Sequence, residues 1–153
     1  MAEELGPVVG EQVSDFTLPD DSSKPLSLQE TMGAGGVLLT FIHGVWCSAC
    51  VQAIYRLQRY ANIYADQGVG VAIVAIDPPH RLSMFKLSAR LPIAFPLLAD
   101  EGREVHERYR LEQVGAYLLI DAAGVLRHKF LDLDHRGWPG HFSIQEAIQQ
   151  MLS

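Results

Sequence analysis

The stretch VLLTFIHGVWCSACVQAIYRLQRYANIYADQGVGVAIVAI, residues 37–76, decides how this chain folds. It opens on VLLTFI (37–42), a short apolar run that GAGG (33–36) separates from what precedes it. A run of that length and bounding predicts a strand buried on both faces. Cys50, Ile54, Leu57, Ala61 and Tyr64 then recur at helical spacing, while Gln52, Arg56, Arg59 and Gln67 fall away from that stripe. This is one amphipathic helix, and Gly68 is placed to end it. VGVAIVAI (69–76) is a second buried strand, closed by DPP (77–79), where Asp77 reads as a turn-former. A strand–helix–strand crossover of this kind places its strands parallel, with a right-handed connection.

The flanks extend the pattern. PDDSSKP (19–25) is a turn-rich segment between short extended pieces at 16–18 and 26–28. Residues 80–91 read as a helix with Leu82, Phe85 and Ala89 on one side, and FPLLAD (95–100) as a short extended segment. EGREVHERYR (101–110) reads as a short polar helix. AYLLI (116–120) and VLRHKFL (125–131) form a hairpin around DAAG (121–124). FSIQEAIQQML (142–152) is a last helix, with Ser143 as N-cap and Glu146 completing a capping box. The expectation is an α/β fold, a mixed central β-sheet flanked by helices, in one domain over residues 1–153.

Composition narrows the function. Of 153 residues, 48% are hydrophobic and 20% charged, the balance of a globular protein, and the formal charge of −6 argues against nucleic acid or an anionic membrane surface as partner. The opening MAEELGPVVGEQ is acidic where a signal peptide needs positive charge, and no apolar run approaches a membrane span. A cytoplasmic location is the expectation.

The two cysteines, Cys47 and Cys50, lie within one helical turn. A disulfide across so small a gap closes almost no loop and stabilises little. Cys47 falls at the start of the helix, where unpaired N–H groups and the helix dipole favour an anion, so its thiol is expected to be acidic and reactive. Cys50 falls on the apolar stripe and is expected to be shielded. The pair suits thiol–disulfide exchange, with Cys47 attacking and Cys50 resolving the mixed disulfide. Half a zinc site is the competing reading, and it would need His135 and His141 as further ligands. An inert buried pair is another. No metal or other cofactor is expected.

With these residues in place, WCSAC after a buried strand and at the start of a long helix resembles the thioredoxin superfamily. The wider set resembles its redoxin branch, the alkyl hydroperoxide reductase C/thiol-specific antioxidant (AhpC/TSA) group. That set comprises VSDFTLPD, FIHGVWCSACVQAIYRLQ, VGVAIVAIDPP, FPLLAD and AYLLIDAAGVLRHKF, in family order over residues 10–131. The resemblance implies a thioredoxin-like fold and a redox-active Cys47–Cys50 couple. It further implies protein or small-molecule disulfides as substrates and a thiol electron donor. Two family features are missing. The peroxidatic Pro-x-x-x-Thr/Ser-x-x-Cys pattern fits neither cysteine, since the positions before Cys47 are Thr40 and Gly44, and those before Cys50 are His43 and Cys47. Gly115 stands where peroxiredoxins carry an Arg and thioredoxins a cis-Pro.

Around the thiols, Trp46 and Gly115 are the candidate substrate contacts, and His43 a candidate modulator of the Cys47 thiolate. His135 and Trp138, in the loop at 132–141, are candidates for a partner-facing surface. The leading reading is a thiol–disulfide oxidoreductase. An atypical peroxiredoxin-like thiol peroxidase and a non-catalytic redox-sensing module are its rivals.

Overall fold

The computed structural model describes residues 5–132 and 139–153. At its centre is β3 (Gly36–Ile42), in which every residue is buried. Its side chains alternate between two cores. Val37, Leu39 and Phe41 join Phe16, Leu28, Val74 and Tyr109 on one face. Leu38 and Ile42 join Ile54, Leu57, Ile73, Ile144 and Ile148 on the other. A strand covered on both sides has no polar face to show, which is why its sequence reads as an apolar run interrupted only by Thr40.

Two short strands, β1 (Thr17–Pro19) and β2 (Pro25–Ser27), pair antiparallel ahead of β3. Between β2 and β3 lies a four-residue helix, α1 (Leu28–Thr31), which begins at the last residue of the extended piece expected at 26–28. Ser27 caps it and Glu30 bonds back to the Ser27 N–H, so the true capping box of this chain is here. After β3 come α2 (Ser48–Asp66) and β4 (Val69–Ala75), as the 37–76 pattern predicts. Gly68 closes α2 in the left-handed region, φ +82°.

Helix α3 (Pro79–Ser88) stops short of residue 91. Pro92 disfavours helical backbone at Leu91, and Ala89 is already extended. Strand β5 (Leu97–Ala99) pairs parallel to β4, and the short α4 (Glu104–Arg108) follows. The 101–110 segment is less polar in place than in sequence, because Val105, His106 and Tyr109 are buried. Strands β6 (Gly115–Asp121) and β7 (Leu126–Asp132) form the expected hairpin, β6 running antiparallel to β3 from Gly36↔Asp121 to Phe41↔Ala116.

The last helix, α5 (His141–Leu152), begins two residues before Ser143, with Gly140 at the N-cap and no side-chain cap. Its start is set by docking instead. The His141 ring stacks on Tyr60 at 3.9 Å, and its Nδ1 is hydrogen bonded to the Tyr64 hydroxyl at 3.0 Å. The five-stranded sheet has the order β5-β4-β3-β6-β7. With β3, β4 and β5 parallel and β6 antiparallel, the carboxyl ends of the first three and the start of β6 share one edge.

Candidate active site

That edge is where α2 begins. Cys47 is the N-cap residue in extended backbone, φ −94° and ψ 120°, and its Sγ accepts the Cys50 N–H at 3.4 Å. A sulfur therefore stands where an Asp or Ser oxygen usually caps a helix, and negative charge on it would face the unpaired N–H groups of the first turn. Cys47 is half-buried and Cys50 buried, and both are free thiols. Burial pushes the Cys50 thiol up to about 11, a hydrogen bond with the Cys47 side chain adds to this, and hydrogen bonds from the backbone of Gly44 and His43 pull it back. The two sulfurs are thus unequal in access, Cys47 half-buried and Cys50 buried.

The segment between β3 and α2 is held by three hydrogen bonds to its backbone. The Ile76 N–H donates to the His43 carbonyl at 2.9 Å, and the Cys47 N–H to that of Gly44 at 3.2 Å. The Val45 N–H donates to Asp77 Oδ2 at 2.9 Å. Asp77 is more than a turn-former: its carboxylate is fully buried, braces this segment, and pairs with Arg81 at 3.3 Å. A Cβ on Gly44 would stand 2.2 Å from Trp46 Nε1 and 2.9 Å from Asp77 Oδ2, so a side chain there would displace the Trp46 ring or the Asp77 carboxylate.

Trp46 is 67% exposed and lies parallel to the His43 ring, 11° between planes and 6.5 Å between centroids. Together with Ile76, Arg103 and Glu112 these rings line a cavity of about 310 Å³ next to the helix start. The His43 ring faces Trp46, and its carbonyl accepts the Ile76 N–H. Gly115 is buried at the start of β6, on the edge that carries the thiols, and pairs with Asp132. His135 and Trp138 lie outside the described residues. His141, the other zinc candidate, is engaged with Tyr60 and Tyr64.

One buried group near the site has no signal in the sequence pattern. His106 is fully buried, its Nδ1 is 2.7 Å from Asp100 Oδ2, and its Nε2 is 3.0 Å from the Ile42 carbonyl oxygen. Asp100 also accepts the Val105 and His106 N–H groups. Burial would raise this carboxyl, but the hydrogen bonds from the His106 ring and these two N–H groups outweigh it and hold it below the ordinary range.

The model of the AhpC/TSA family matches residues 9–129. Thiol-disulfide oxidoreductase ResA of Geobacillus kaustophilus is 30% identical over 125 residues, covering 82% of this chain and 70% of that protein. Among solved structures, reduced 2-Cys peroxiredoxin of Plasmodium vivax superposes with a TM-score of 0.84 at 19% identity, over 95% of this chain and 83% of that one. Peroxidoxin BcpB of Mycobacterium tuberculosis superposes with a TM-score of 0.80 at 18% identity, over 97% of each chain. These likenesses give the fold as thioredoxin-like. Among the described residues, no helix is long and apolar enough to cross a membrane.

Proposed function

The chain belongs to the AhpC/TSA family, and we propose that it works there as a thiol–disulfide oxidoreductase with Cys47 as attacking and Cys50 as resolving thiol. The observation that carries this reading is the asymmetry of the pair, a half-exposed sulfur capping α2 and a buried one a turn further in. The Cys47 thiolate attacks a substrate disulfide, forming Cys47–S–S–R and releasing one R–S⁻. Cys50 then loses its proton to solvent and attacks the Cys47 sulfur. The Cys47–Cys50 disulfide forms, the second thiolate leaves, and the substrate has gained the two electrons. A dithiol donor reduces the couple by the same two exchanges in reverse.

Trp46 supplies an exposed flat surface next to the attacking sulfur, and the cavity it shares with His43, Ile76, Arg103 and Glu112 offers a seat of mixed polarity for chain flanking the substrate disulfide. Gly115 leaves backbone without a side chain at the same edge. The thiol peroxidase reading lacks the Thr/Ser and Arg donors that would stabilise charge on a departing peroxide oxygen.

The test is trapping. Cys50→Ser incubated with a disulfide substrate accumulates a mixed disulfide at Cys47, seen by intact mass, and Cys47→Ser does not. Accumulation on Cys50 in the second variant, at the rate seen in the first, would reverse the roles. The cytoplasmic site of action belongs to the same proposal, and recovery of the full-length protein outside the cytosolic fraction would count against it.

A further inference from the structure

Glu112 lies in the loop between α4 and β6, and the chain on either side of it is anchored. Leu111 is fully buried, with its N–H donating to the His106 carbonyl at 2.8 Å, and Gly115 starts β6 on the edge that carries the thiols. The Glu112 side chain lines the cavity of about 310 Å³ beside Trp46, with His43, Ile76 and Arg103. Its Oε2 is buried and has no hydrogen-bond partner among the described residues. Among those residues no ion pair joins it to Arg103. Arg103 is exposed, so water serves its guanidinium. Glu112 thus presents to this cavity a buried acceptor without a donor, an arrangement that costs free energy until a donor arrives.

We propose that the cavity selects substrates carrying a lysine or arginine side chain next to the disulfide cysteine, and that Glu112 is the residue that selects it. An ammonium or guanidinium group entering the cavity gives Oε2 a charge-assisted hydrogen bond in a place partly closed to water. Trp46 lines the same cavity, and indole is the best aromatic partner of a cation. Trp46 directly precedes Cys47, so a side chain seated against it belongs to chain lying next to the attacking sulfur. An acidic side chain would instead face the Glu112 carboxylate, and the Arg103 charge that could offset this is screened by solvent. The proposal deepens the oxidoreductase reading above and rests on Cys47 as the attacking thiol.

The probes are three acetylated and amidated tripeptides, Lys-Cys-Lys, Gln-Cys-Gln and Glu-Cys-Glu, each with its cysteine in a mixed disulfide with thiopyridine. Cys47 attacks the peptide sulfur, a Cys47–peptide disulfide forms, and thiopyridine leaves with the electron pair of the broken bond and is read by its absorbance. Each rate with the reduced full chain is divided by the rate of β-mercaptoethanol with the same peptide, which removes intrinsic reactivity. The lysine peptide is expected to react about fivefold faster than the glutamine peptide, and the glutamate peptide slowest. Glu112→Gln keeps the shape and is expected to bring the lysine-to-glutamine ratio below about twofold. Asp66→Asn removes an exposed charge at the far end of α2 and is expected to leave the ratio as it is. Equal rates for the three peptides with the wild type would overturn the proposal, and that comparison needs no variant. Equal loss of the ratio in Glu112→Gln and Asp66→Asn would also overturn it, since that marks long-range attraction to a chain of net charge −6. So would a preference for the glutamate peptide, which assigns the cavity to Arg103. No release from any peptide would refute the attacking role of Cys47, and this proposal with it.

Discussion

Asp77 is the group whose loss tests the architecture of the site. Asp77→Ala removes the acceptor of the Val45 N–H, 2.9 Å away, and the partner of Arg81, 3.3 Å away. A buried donor left without an acceptor costs about 1–3 kcal/mol. The Arg81 contribution is small, because that guanidinium is 54% exposed and such pairs are worth about 0–1 kcal/mol. Removing a buried carboxylate also relieves its desolvation, so the expected net loss is about 2 kcal/mol. For a chain of 153 residues this is a fall in Tm of about 4–8 °C. Asp77→Asn keeps an oxygen for the Val45 N–H and gives up only the ion pair, an expected loss of about 0.5 kcal/mol. Thermal unfolding followed by circular dichroism resolves the two. If Asp77→Ala melts within about 1 °C of the wild type, the brace is not one. If Asp77→Asn falls as far as Asp77→Ala, the charge matters and the N–H acceptor does not.

Gly44→Ala places a Cβ against Trp46 and Asp77, and it is expected to destabilise by about 1–3 kcal/mol and to slow alkylation of Cys47 by displacing the helix start. Asp100, held below its ordinary range, adds stability above the unfolded value near pH 4 and loses it as pH falls through the lower folded value. The urea midpoint of the wild type should therefore drop below about pH 4 more steeply than that of Asp100→Asn, each referred to its own value at neutral pH, and parallel curves would refute the assignment. Hydrogen peroxide is expected to oxidise the reduced protein at about the rate of a simple activated thiolate, and a rate orders of magnitude higher in stopped flow would favour the peroxidase reading.

The sequence by itself determined the centre of the fold and the unequal burial of the two thiols. Strand β3, helix α2 and strand β4 are local patterns, a doubly buried run or a single stripe at helical spacing, and local patterns survive tertiary packing. The asymmetry of Cys47 and Cys50 follows from the same stripe, because one residue precedes it and the other lies on it. Helix ends were less legible where tertiary contact decided them. Ser143 and Glu146 have capping-box spacing, yet α5 starts where His141 docks on Tyr60 and Tyr64.

What only the tertiary structure decided is the support beneath the site. Asp77 is a turn residue by sequence and a buried brace in place, because the end of β4 lies beside the end of β3. His106 sits among Glu104, Glu107 and Arg108, a setting that reads as a solvated helix face. It reaches the Ile42 carbonyl because β5 and β4 bring α4 under the carboxyl end of β3. A hydrogen bond between residues that far apart leaves no periodic trace in a single sequence, since it depends on where two elements end in space rather than on how either is patterned.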